Sequence, residues 1–325
     1  NVLRLETEEK IYICNKEKGY VFGLNNEYFS SPRIDNLECA FTSLKGFLSQ
    51  TISENTAIAD FPSNITIIRA NMLYIPLVGL SAKAINHFKR IAAFYNPEFY
   101  AKQGMRLSTY DIPRIISCSE LTDDYLAIPR GFEDDVIDIL KHYNVEYIVE
   151  DKSNHGRQLD VTFKGILREE QQTAMSCMLS HNIGTLSATT AFGKTVFAIA
   201  MIAKRKVNTL ILVHRKSLLD QWKTHLENFL EINEVVVNDG KKRMSKKQQS
   251  PIGTLYSGKN SIHGIIDIAL IQSCFDGNEV SPFVENYGMV IVDECHHVSS
   301  VSFEQVLRKV KAKYVYGLTA TPIRK

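Results

Sequence analysis

The second half of the sequence predicts an α/β fold, a parallel sheet with helices on both faces. Continuous apolar runs, typical of strands buried on both faces of a sheet, end at about Ala188, Val213, Ile271, Val292 and Leu318. Stretches with helical spacing separate these runs, which is the alternation of a parallel α/β sheet. Polar or small residues follow the runs, and ligands of such sheets bind beyond the carboxyl ends of the strands. We therefore expect the chemistry of this chain at that edge.

Length and composition narrow the class of protein. A chain of 325 residues with 44% hydrophobic and 23% charged residues predicts about two soluble globular domains. We find no signal peptide pattern and no apolar span of about 18 residues, so we expect no membrane partner. Six cysteines without C-x-x-C spacing predict reduced thiols, a cytoplasmic location and no zinc site. The formal net charge is only +2, so any positively charged surface that binds nucleic acid must be confined to one part of the protein.

The pattern divides the chain into three parts. Residues 1–64 show two short strand-like runs, Ile11–Cys14 and Gly19–Gly23, and a helical pattern over Leu37–Ile52, but no chemistry. Residues 65–160 predict a smaller α+β domain with strands at Ile65–Arg69 and Met72–Pro76, followed by a helix that Ser81 caps. A strand, strand, helix, strand order then runs from residue 114 to 149. A polar, turn-rich stretch over 151–160 predicts the linker to the third part, residues 161–325.

A phosphate-binding loop is predicted at Ser187–Thr195. Lys194 would reach the β- and γ-phosphates, Thr195 would place its hydroxyl on Mg²⁺, and Gly193 lets the backbone approach the phosphates. Backbone N–H groups at the start of the following helix favour anions. Ala188 stands where the usual pattern has its first glycine, and Ala191-Phe192 replaces the Gly-x often seen before Gly-Lys. A strand, turn and helix that merely contains Gly-Lys-Thr is the alternative.

Two further strand ends carry polar motifs. Asp293 and Glu294 follow the run Met289–Val292, and such adjacent carboxylates are what a nucleotide hydrolase needs to hold Mg²⁺ and orient the attacking water. The last strand-like run ends at Thr319-Ala320-Thr321. The carboxylates therefore indicate a nucleotide hydrolase rather than a protein that only binds phosphate.

The three motifs together, phosphate loop, Asp-Glu-x-His box and Thr-Ala-Thr turn, resemble those of the superfamily 2 (DExH) helicases and translocases. The resemblance implies that residues 161–325 are the first of two RecA-like domains and that the second lies outside this sequence. It implies that Asp293 holds Mg²⁺, Glu294 orients or deprotonates the water, and His296 links the site to the neighbouring domain or to the Thr-Ala-Thr turn. Thr319, Ala320 and Thr321 would couple hydrolysis to movement.

The same resemblance implies further contacts. The Leu-Arg-x-x-Gln element at Leu167–Gln171 would bind the nucleotide, with Arg168 in the element and Gln171 reading adenine; Gln172 is the alternative if the register is shifted by one. Nucleic-acid phosphates would meet residues after two strands: Arg215, Gln272 and Ser273. Trp222, the only tryptophan, has helical spacing with apolar neighbours and is predicted to be core rather than base-stacking.

Residues of about 82–160 resemble the DNA-damage-recognition-like domain of some DNA-repair helicases. Arg130, in an Ile-Pro-Arg-Gly turn, is predicted to contact DNA, with an ion pair to Glu133 or Asp134 as the alternative. The segment Asn96–Tyr110, which contains Arg106, mixes basic and aromatic residues that suit phosphates and exposed bases. A short amphipathic helix packed on its own domain is the alternative there.

From about residue 65 onward the chain is also similar to the helicase of primase-associated (TOTE-type) conflict systems and to the motor subunit of type III restriction enzymes. We therefore expect an ATP-dependent DNA helicase or translocase that uses ATP and Mg²⁺ and binds DNA. The alternative is a nucleic-acid or partner-binding module that uses the phosphate loop as a switch without motor activity. The Asp293-Glu294 pair favours the enzyme, because a switch has no need of a water-positioning carboxylate.

Overall fold

The computed structural model describes residues 2–7, 10–15, 20–22, 28–30, 60–234, 250–297 and 301–320. The chain forms two compact units, Asn1–Ala57 and Ile58–Lys325. The first unit contains two antiparallel strand pairs, made by β1 (Val2–Thr7) with β2 (Lys10–Asn15) and by β3 (Tyr20–Phe22) with β4 (Tyr28–Ser30). Both strand predictions for this unit are confirmed. The helix predicted over Leu37–Ile52 lies outside the described residues.

The small module, residues 60–151, is a five-stranded sheet with helices. Its elements are β5 (Asn64–Arg69), β6 (Leu73–Pro76), α1 (Ala82–Ile91), β7 (Ala93–Tyr95), α2 (Pro97–Gly104), β8 (Ile115–Ser117), β9 (Glu120–Leu121), β10 (Tyr125–Ile128), α3 (Glu133–His142) and β11 (Glu146–Asp151). The strand order is β11-β5-β6-β10-β9, and β7 pairs separately with β8. Ser81 Oγ accepts a hydrogen bond from Ala84 N at 3.1 Å, so the predicted helix cap is confirmed.

The large module, residues 161–320, is built on a seven-stranded sheet. Its elements are β12 (Val161–Phe163), α4 (Glu169–Leu179), β13 (Ile183–Ser187), α5 (Lys194–Arg205), β14 (Thr209–Val213), α6 (Lys216–Phe229), β15 (Leu230–Ile232), β16 (Ile252–Tyr256), β17 (Lys259–Asn260), β18 (Ile266–Leu270), β19 (Phe275–Asp276), β20 (Glu279–Val280), β21 (Met289–Val292), α7 (Val301–Lys309) and β22 (Tyr314–Thr319). The order is β13-β22-β21-β14-β18-β16-β17, parallel except for the last pair. The predicted parallel α/β sheet is confirmed.

Burial explains why these strands read as continuous apolar runs. Every residue of β14, β18 and β21 is buried, because helices cover both faces of the sheet. One core contains Phe197 of α5 and Trp222 of α6, and the other contains Phe303 and Val306 of α7. No helix in the described part of the chain is long and apolar enough to cross a membrane.

The segment between the modules is tied to the large module rather than loose. Asn154 donates to Glu285 O at 2.7 Å, and Arg157 N donates to the Oδ1 atom of Asn208 at 2.9 Å. Asn208 is 4% exposed, and its side chain also accepts from Gly288 N at 3.0 Å. The turn-rich composition that predicts a linker therefore corresponds to a hydrogen-bonded connection.

The small module contacts the end of α7 and the loop behind it. Asn71 Nδ2 donates to Arg308 O at 2.7 Å, and the Arg308 guanidinium forms an ion pair with Glu120. Arg130 Nη1 donates to Ala312 O at 2.7 Å. Since α7 follows the Asp-Glu-x-His box in the chain, these bonds join the small module to the helix next to that box.

Candidate functional site

The sheet order brings the three sequence motifs together. The phosphate loop follows β13, the Thr-Ala-Thr turn follows β22 and the Asp-Glu-x-His box follows β21, and these three strands are neighbours. Ser187 lies opposite Thr319, and Val292 lies opposite Gly317. Adjacent strands are about 4.8 Å apart. Motifs more than 100 residues apart in the sequence are therefore side by side at the carboxyl edge of the sheet.

The phosphate loop depends on Gly193. This residue has φ +80°, in the left-handed region, and immediately precedes α5. The left-handed backbone disfavours any side chain here, and a Cβ would also lie 3.2 Å from Gln171 Nε2, a tight contact that this side chain would have to relieve. Every residue of α5 from Phe197 to Ala203 is buried, so the helix N-terminus that would face an anion is held by the core.

Lys194 is folded onto its own loop. Its Nζ donates to Ala188 O at 3.0 Å and to Thr189 O at 3.2 Å. Ala188 N in turn donates to Thr319 O at 3.0 Å. The alanine in place of the usual glycine thus contributes its backbone to these hydrogen bonds while its methyl group packs against the core, and the ammonium group can exchange two carbonyl acceptors for phosphate oxygens.

Arg168 and Gln171 support the phosphate loop from the start of α4. Gln171 is 4% exposed; its Oε1 accepts from Arg168 N at 3.0 Å, and its Nε2 donates to Phe192 O at 2.7 Å. The Arg168 guanidinium donates to Ala191 O at 3.2 Å. A carboxamide has two donors and two acceptor lone pairs, so Gln171 retains one of each for a base edge. Gln172 instead donates to Leu167 O at 3.0 Å and is exposed, so the structure places Gln171 on the loop.

Asp293 is the buried carboxylate of the site, at 6% exposure. Its Oδ2 accepts from Trp222 Nε1 at 2.7 Å, and its Oδ1 accepts from Glu294 N at 3.0 Å. Burial raises the pKa of the Asp293 carboxyl, while the hydrogen bond from Trp222 and the charge of Lys194 act in the opposite direction.

Glu294 and His296 connect the box to the last strand. Glu294 has φ +50°, a conformation that costs energy outside glycine and that clusters at functional sites. His296 Nδ1 is 3.2 Å from Glu294 Oε2 and 3.1 Å from Thr319 Oγ1. Ala320 is half-buried after β22, whereas Thr321 lies outside the described residues.

Cys295, the variable third residue of the box, packs on β22. A Cβ built on Gly317 would lie 2.9 Å from Cys295 Sγ, so glycine at this point of the strand makes room for the box. Burial raises the pKa of the Cys295 thiol. The cysteine therefore acts here as a packing residue.

The oxygen ligands of the site suit Mg²⁺. Thr195 and Asp293 supply a hydroxyl and a carboxylate, which are hard ligands, and each Asp293 oxygen uses only one lone pair on a protein N–H. Within the described part of the chain, no cluster of three or more His, Cys, Asp or Glu side chains could hold a metal by itself. Mg²⁺ is commonly held by one or two carboxylates together with substrate phosphates, so the donor set fits.

The residues predicted to face nucleic acid differ in position. Arg215 is exposed immediately before α6, and Gln272 and Ser273 follow β18. Gln272 and Ser273 line an open recess of about 630 Å³. The strand order therefore separates these residues from the phosphate loop along one edge of the sheet. Arg106, in the small module, is exposed.

Arg130 corrects a prediction. It is 9% exposed, and its guanidinium donates to Ala312 O instead of reaching solvent. Burial lowers the pKa of Arg130 to about 10. The alternative ion pair with Glu133 is also wrong, because Glu133 forms its ion pair with Arg69. From sequence alone, a basic residue in a glycine turn is expected to be exposed. Arg130 is buried because the neighbouring module packs against it.

Sequence reasoning also missed three contributions. Trp222 is core, as predicted, but its indole N–H reaches Asp293. Lys216 and Lys259 both approach the ring of Tyr256, at 5.2 and 5.7 Å from its centroid, beside the recess that contains Ser257 and Gln272. Local periodicity carries no signal for the contacts of Trp222 and Lys216, since each joins distant elements, whereas Lys259 pairs with Tyr256 across the tight β16–β17 hairpin.

Comparison with known proteins adds the family context. Residues 164–324 match the family described as type III restriction enzyme, res subunit. The chain is 35% identical over 169 residues to a protein provisionally named helicase 109L of Invertebrate iridescent virus 3, covering 50% of this chain and 47% of that protein. It is 28% identical over 204 residues to a provisionally named ATP-dependent RNA helicase, L396, of Acanthamoeba polyphaga mimivirus, covering 61% and 34%.

An archaeal relative and a solved structure extend the comparison. The DNA 3'-5' translocase XPB2 of Sulfurisphaera tokodaii is 27% identical over 158 residues, covering 49% of this chain and 31% of that protein. The chain thus spans about half or less of these curated relatives. The UvsW helicase of Bacteriophage T4 has a similar fold, with a TM-score of 0.53 and 11% identity over 79% of this chain and 92% of that one.

Proposed function

We propose that residues 164–324, which match the family described as type III restriction enzyme, res subunit, carry the ATP site of an ATP-dependent DNA helicase or translocase. One observation carries the proposal. The loops that carry Lys194 and the Asp293-Glu294-Cys295-His296 box follow β13 and β21, the two strands that flank β22 in the parallel sheet, and His296 contacts Thr319 at the end of β22. Phosphoryl transfer is catalysed mainly by positioning and charge stabilisation, and these residues supply both.

Each residue has a distinct role in this proposal. Gln171 reads the adenine edge, and Lys194 exchanges its two loop carbonyls for β- and γ-phosphate oxygens. Thr195 and Asp293 hold Mg²⁺, which when bound neutralises charge that develops on the phosphates. Glu294, half-buried and 3.2 Å from His296 Nδ1, orients and deprotonates the attacking water.

His296 is the proposed route from hydrolysis to movement. Its Nδ1 contacts both the Glu294 carboxylate and the Thr319 hydroxyl. A change at Glu294 during turnover therefore alters the hydrogen bond at the end of β22, where Ala320 and Thr321 follow. A switch module without turnover would need the contact to Thr319 but not the carboxylate at Glu294.

The large module offers a nucleic-acid surface beside the ATP site. Arg215 and Lys216 lie after β14, and Gln272 and Ser273 lie after β18, the next strand in the sheet. Such side chains bind phosphates without reading sequence. Lys259, on the β17 edge of the same recess, adds a cation to this surface.

The small module offers a second surface with exposed aromatic rings. None of the residues of α2 is buried, which does not support the alternative of a helix packed on its own domain. Tyr95 and Tyr110 are 70% and 93% exposed, and the Arg114 guanidinium lies 6.0 Å from the centroid of the Tyr100 ring. Together with Arg106, these side chains suit phosphates and unstacked bases.

We further propose DNA as the nucleic acid and a second RecA-like domain as the partner that completes the ATP site. One relative is named a DNA translocase and another an RNA helicase, so the relatives do not distinguish DNA from RNA. The choice of DNA rests on the small module, which we propose binds a DNA duplex or fork. A second domain would supply the arginine that stabilises the transition state in related NTPases.

The test is ATP hydrolysis by the full-length protein, measured without nucleic acid and with duplex DNA, single-stranded DNA or RNA of equal length. We expect stimulation by DNA above that by RNA, and its loss in Glu294→Gln. Stimulation by RNA alone would overturn the choice of DNA. Turnover that no nucleic acid changes would overturn the motor and favour the switch.

A further inference from the structure

We propose that Trp222 is a positioning residue for the nucleotide site, holding the Asp293 carboxylate in the orientation that a nucleotide-bound Mg²⁺ requires. The inference rests on the proposed function, which assigns Asp293 to Mg²⁺. It adds a residue from α6, the helix that follows β14, to a site otherwise built from the loops after β13, β21 and β22.

The contact follows from the strand order. Strands β14 and β21 are hydrogen-bonded neighbours, with Leu212 opposite Val292, and Asp293 N donates to Leu212 O at 3.0 Å. The chain then leaves β14 and enters α6, whose first turns cross the same edge of the sheet. Trp222 therefore reaches Asp293 across 71 positions of sequence, at an Nε1–Oδ2 distance of 2.7 Å.

Packing fixes the donor. Leu219, Trp222 and Leu226 are the buried residues of α6, and none of them is more than 1% exposed. Their spacing places them on one face of the helix, against the core that contains Phe197. The indole ring cannot turn away without opening that core, so the N–H is held at one position.

The chemistry of the donor suits a metal ligand. Indole has one N–H donor and no charge. It can orient a carboxylate without neutralising it, whereas an arginine or lysine at the same position would compete with Mg²⁺ for the negative charge. Glu294 N holds the other oxygen at 3.0 Å, so two N–H groups orient the carboxylate and each oxygen retains a lone pair.

If Trp222 had only a structural role, its ring would fill the core and its buried N–H could donate to any acceptor. It would not need to donate to the carboxylate that the proposed site uses. Side chains that orient metal ligands by hydrogen bonds typically change metal affinity by about 10- to 100-fold when they are removed. That effect is separable from a loss of stability.

The experiment compares the full chain with Trp222→Phe and, as a matched control, Leu226→Ala. Both variants remove buried apolar atoms from the same face of α6, but only Trp222→Phe removes the donor. The binding of a fluorescent, non-hydrolysable ATP analogue is titrated with Mg²⁺ and also measured in EDTA; thermal unfolding reports folding.

We expect Trp222→Phe to raise the Mg²⁺ concentration for half-maximal analogue binding by about 10- to 100-fold, with affinity in EDTA within twofold of wild type. Leu226→Ala should lower the melting temperature and leave the Mg²⁺ requirement unchanged. A Trp222→Phe protein with the wild-type Mg²⁺ requirement, or an equal rise in Leu226→Ala, would overturn the inference.

The single tryptophan provides a second measurement that does not depend on a variant folding well. Its emission in the wild-type chain should change when Mg²⁺ is added to the analogue complex, because its N–H bonds to the proposed ligand. If Mg²⁺ tightens analogue binding but the emission does not change, the positioning role of Trp222 is refuted and the proposed function is not. A wild-type chain whose analogue binding ignores Mg²⁺, or that binds no analogue, would instead refute the proposed function.

Discussion

Replacing Gly193 with alanine should destabilise the fold and also weaken nucleotide binding. Two effects add. An L-residue in the left-handed region at φ +80° costs about 1–2 kcal/mol. The new Cβ would also lie 3.2 Å from Gln171 Nε2, the atom that donates to Phe192 O at 2.7 Å. Losing that hydrogen bond adds about 1 kcal/mol.

Gly258 offers a matched control. It has φ +76°, and a Cβ there would meet no atom within 4 Å, so Gly258→Ala has the backbone cost without the contact. We expect Gly258→Ala to lower the free energy of unfolding by about 1–2 kcal/mol and Gly193→Ala by about 2–3 kcal/mol. Urea unfolding of both variants measures this difference.

Nucleotide binding separates the two variants more sharply. Because Gly193→Ala displaces the loop that carries Lys194, we expect at least a tenfold loss of affinity for a non-hydrolysable ATP analogue, about 1.4 kcal/mol. Gly258→Ala should bind as wild type does. Wild-type affinity in a folded Gly193→Ala protein would refute the assignment of this loop to phosphate.

Three further predictions concern the site, the fold and the nucleic-acid surface. Lys194→Ala should weaken analogue binding about 10- to 100-fold, because it removes a charged donor to phosphate. Glu294→Gln should bind the analogue within twofold of wild type but lose ATP turnover. An equal loss of binding in both variants would show that the assigned roles are wrong. Asn208→Ala should lower the free energy of unfolding by about 3 kcal/mol in urea, since it removes four hydrogen bonds from a buried side chain to backbone N–H and C=O groups; a loss below about 1 kcal/mol would contradict this. Replacing Arg106 and Arg114 by alanine should reduce the slope of log affinity for DNA against log salt concentration by about two units. An unchanged slope would show that these two residues of the small module do not contact DNA phosphates.

Much of the large module was predictable because its signals are local. Strands buried on both faces need continuous apolar runs, and the runs ending near Val213 and Val292 became β14 and β21. Helix caps are also local, and Ser81 begins α1 as predicted. The placement of the three motifs at one edge of the sheet followed from the rule that parallel strands present their carboxyl ends at one edge.

The misassigned residues are those whose environment comes from another element. Arg130 was expected at the surface, but its guanidinium bonds a carbonyl 182 positions away in the other module. Composition cannot show that the small module packs there. The family resemblance did not predict the burial of Arg130, because it concerns each module separately and says nothing about the contact between them.

The parallel sheet and the order of the motifs could be predicted from the sequence alone, because hydrophobic spacing and strand-end chemistry depend on near neighbours. The three-dimensional packing was needed to show that Gln171 rather than Gln172 supports the phosphate loop, that Arg130 makes an internal contact, and that Trp222 reaches Asp293. Those outcomes depend on which strands are adjacent and on how close packing fixes a side chain, and neither is encoded within any short stretch of the chain.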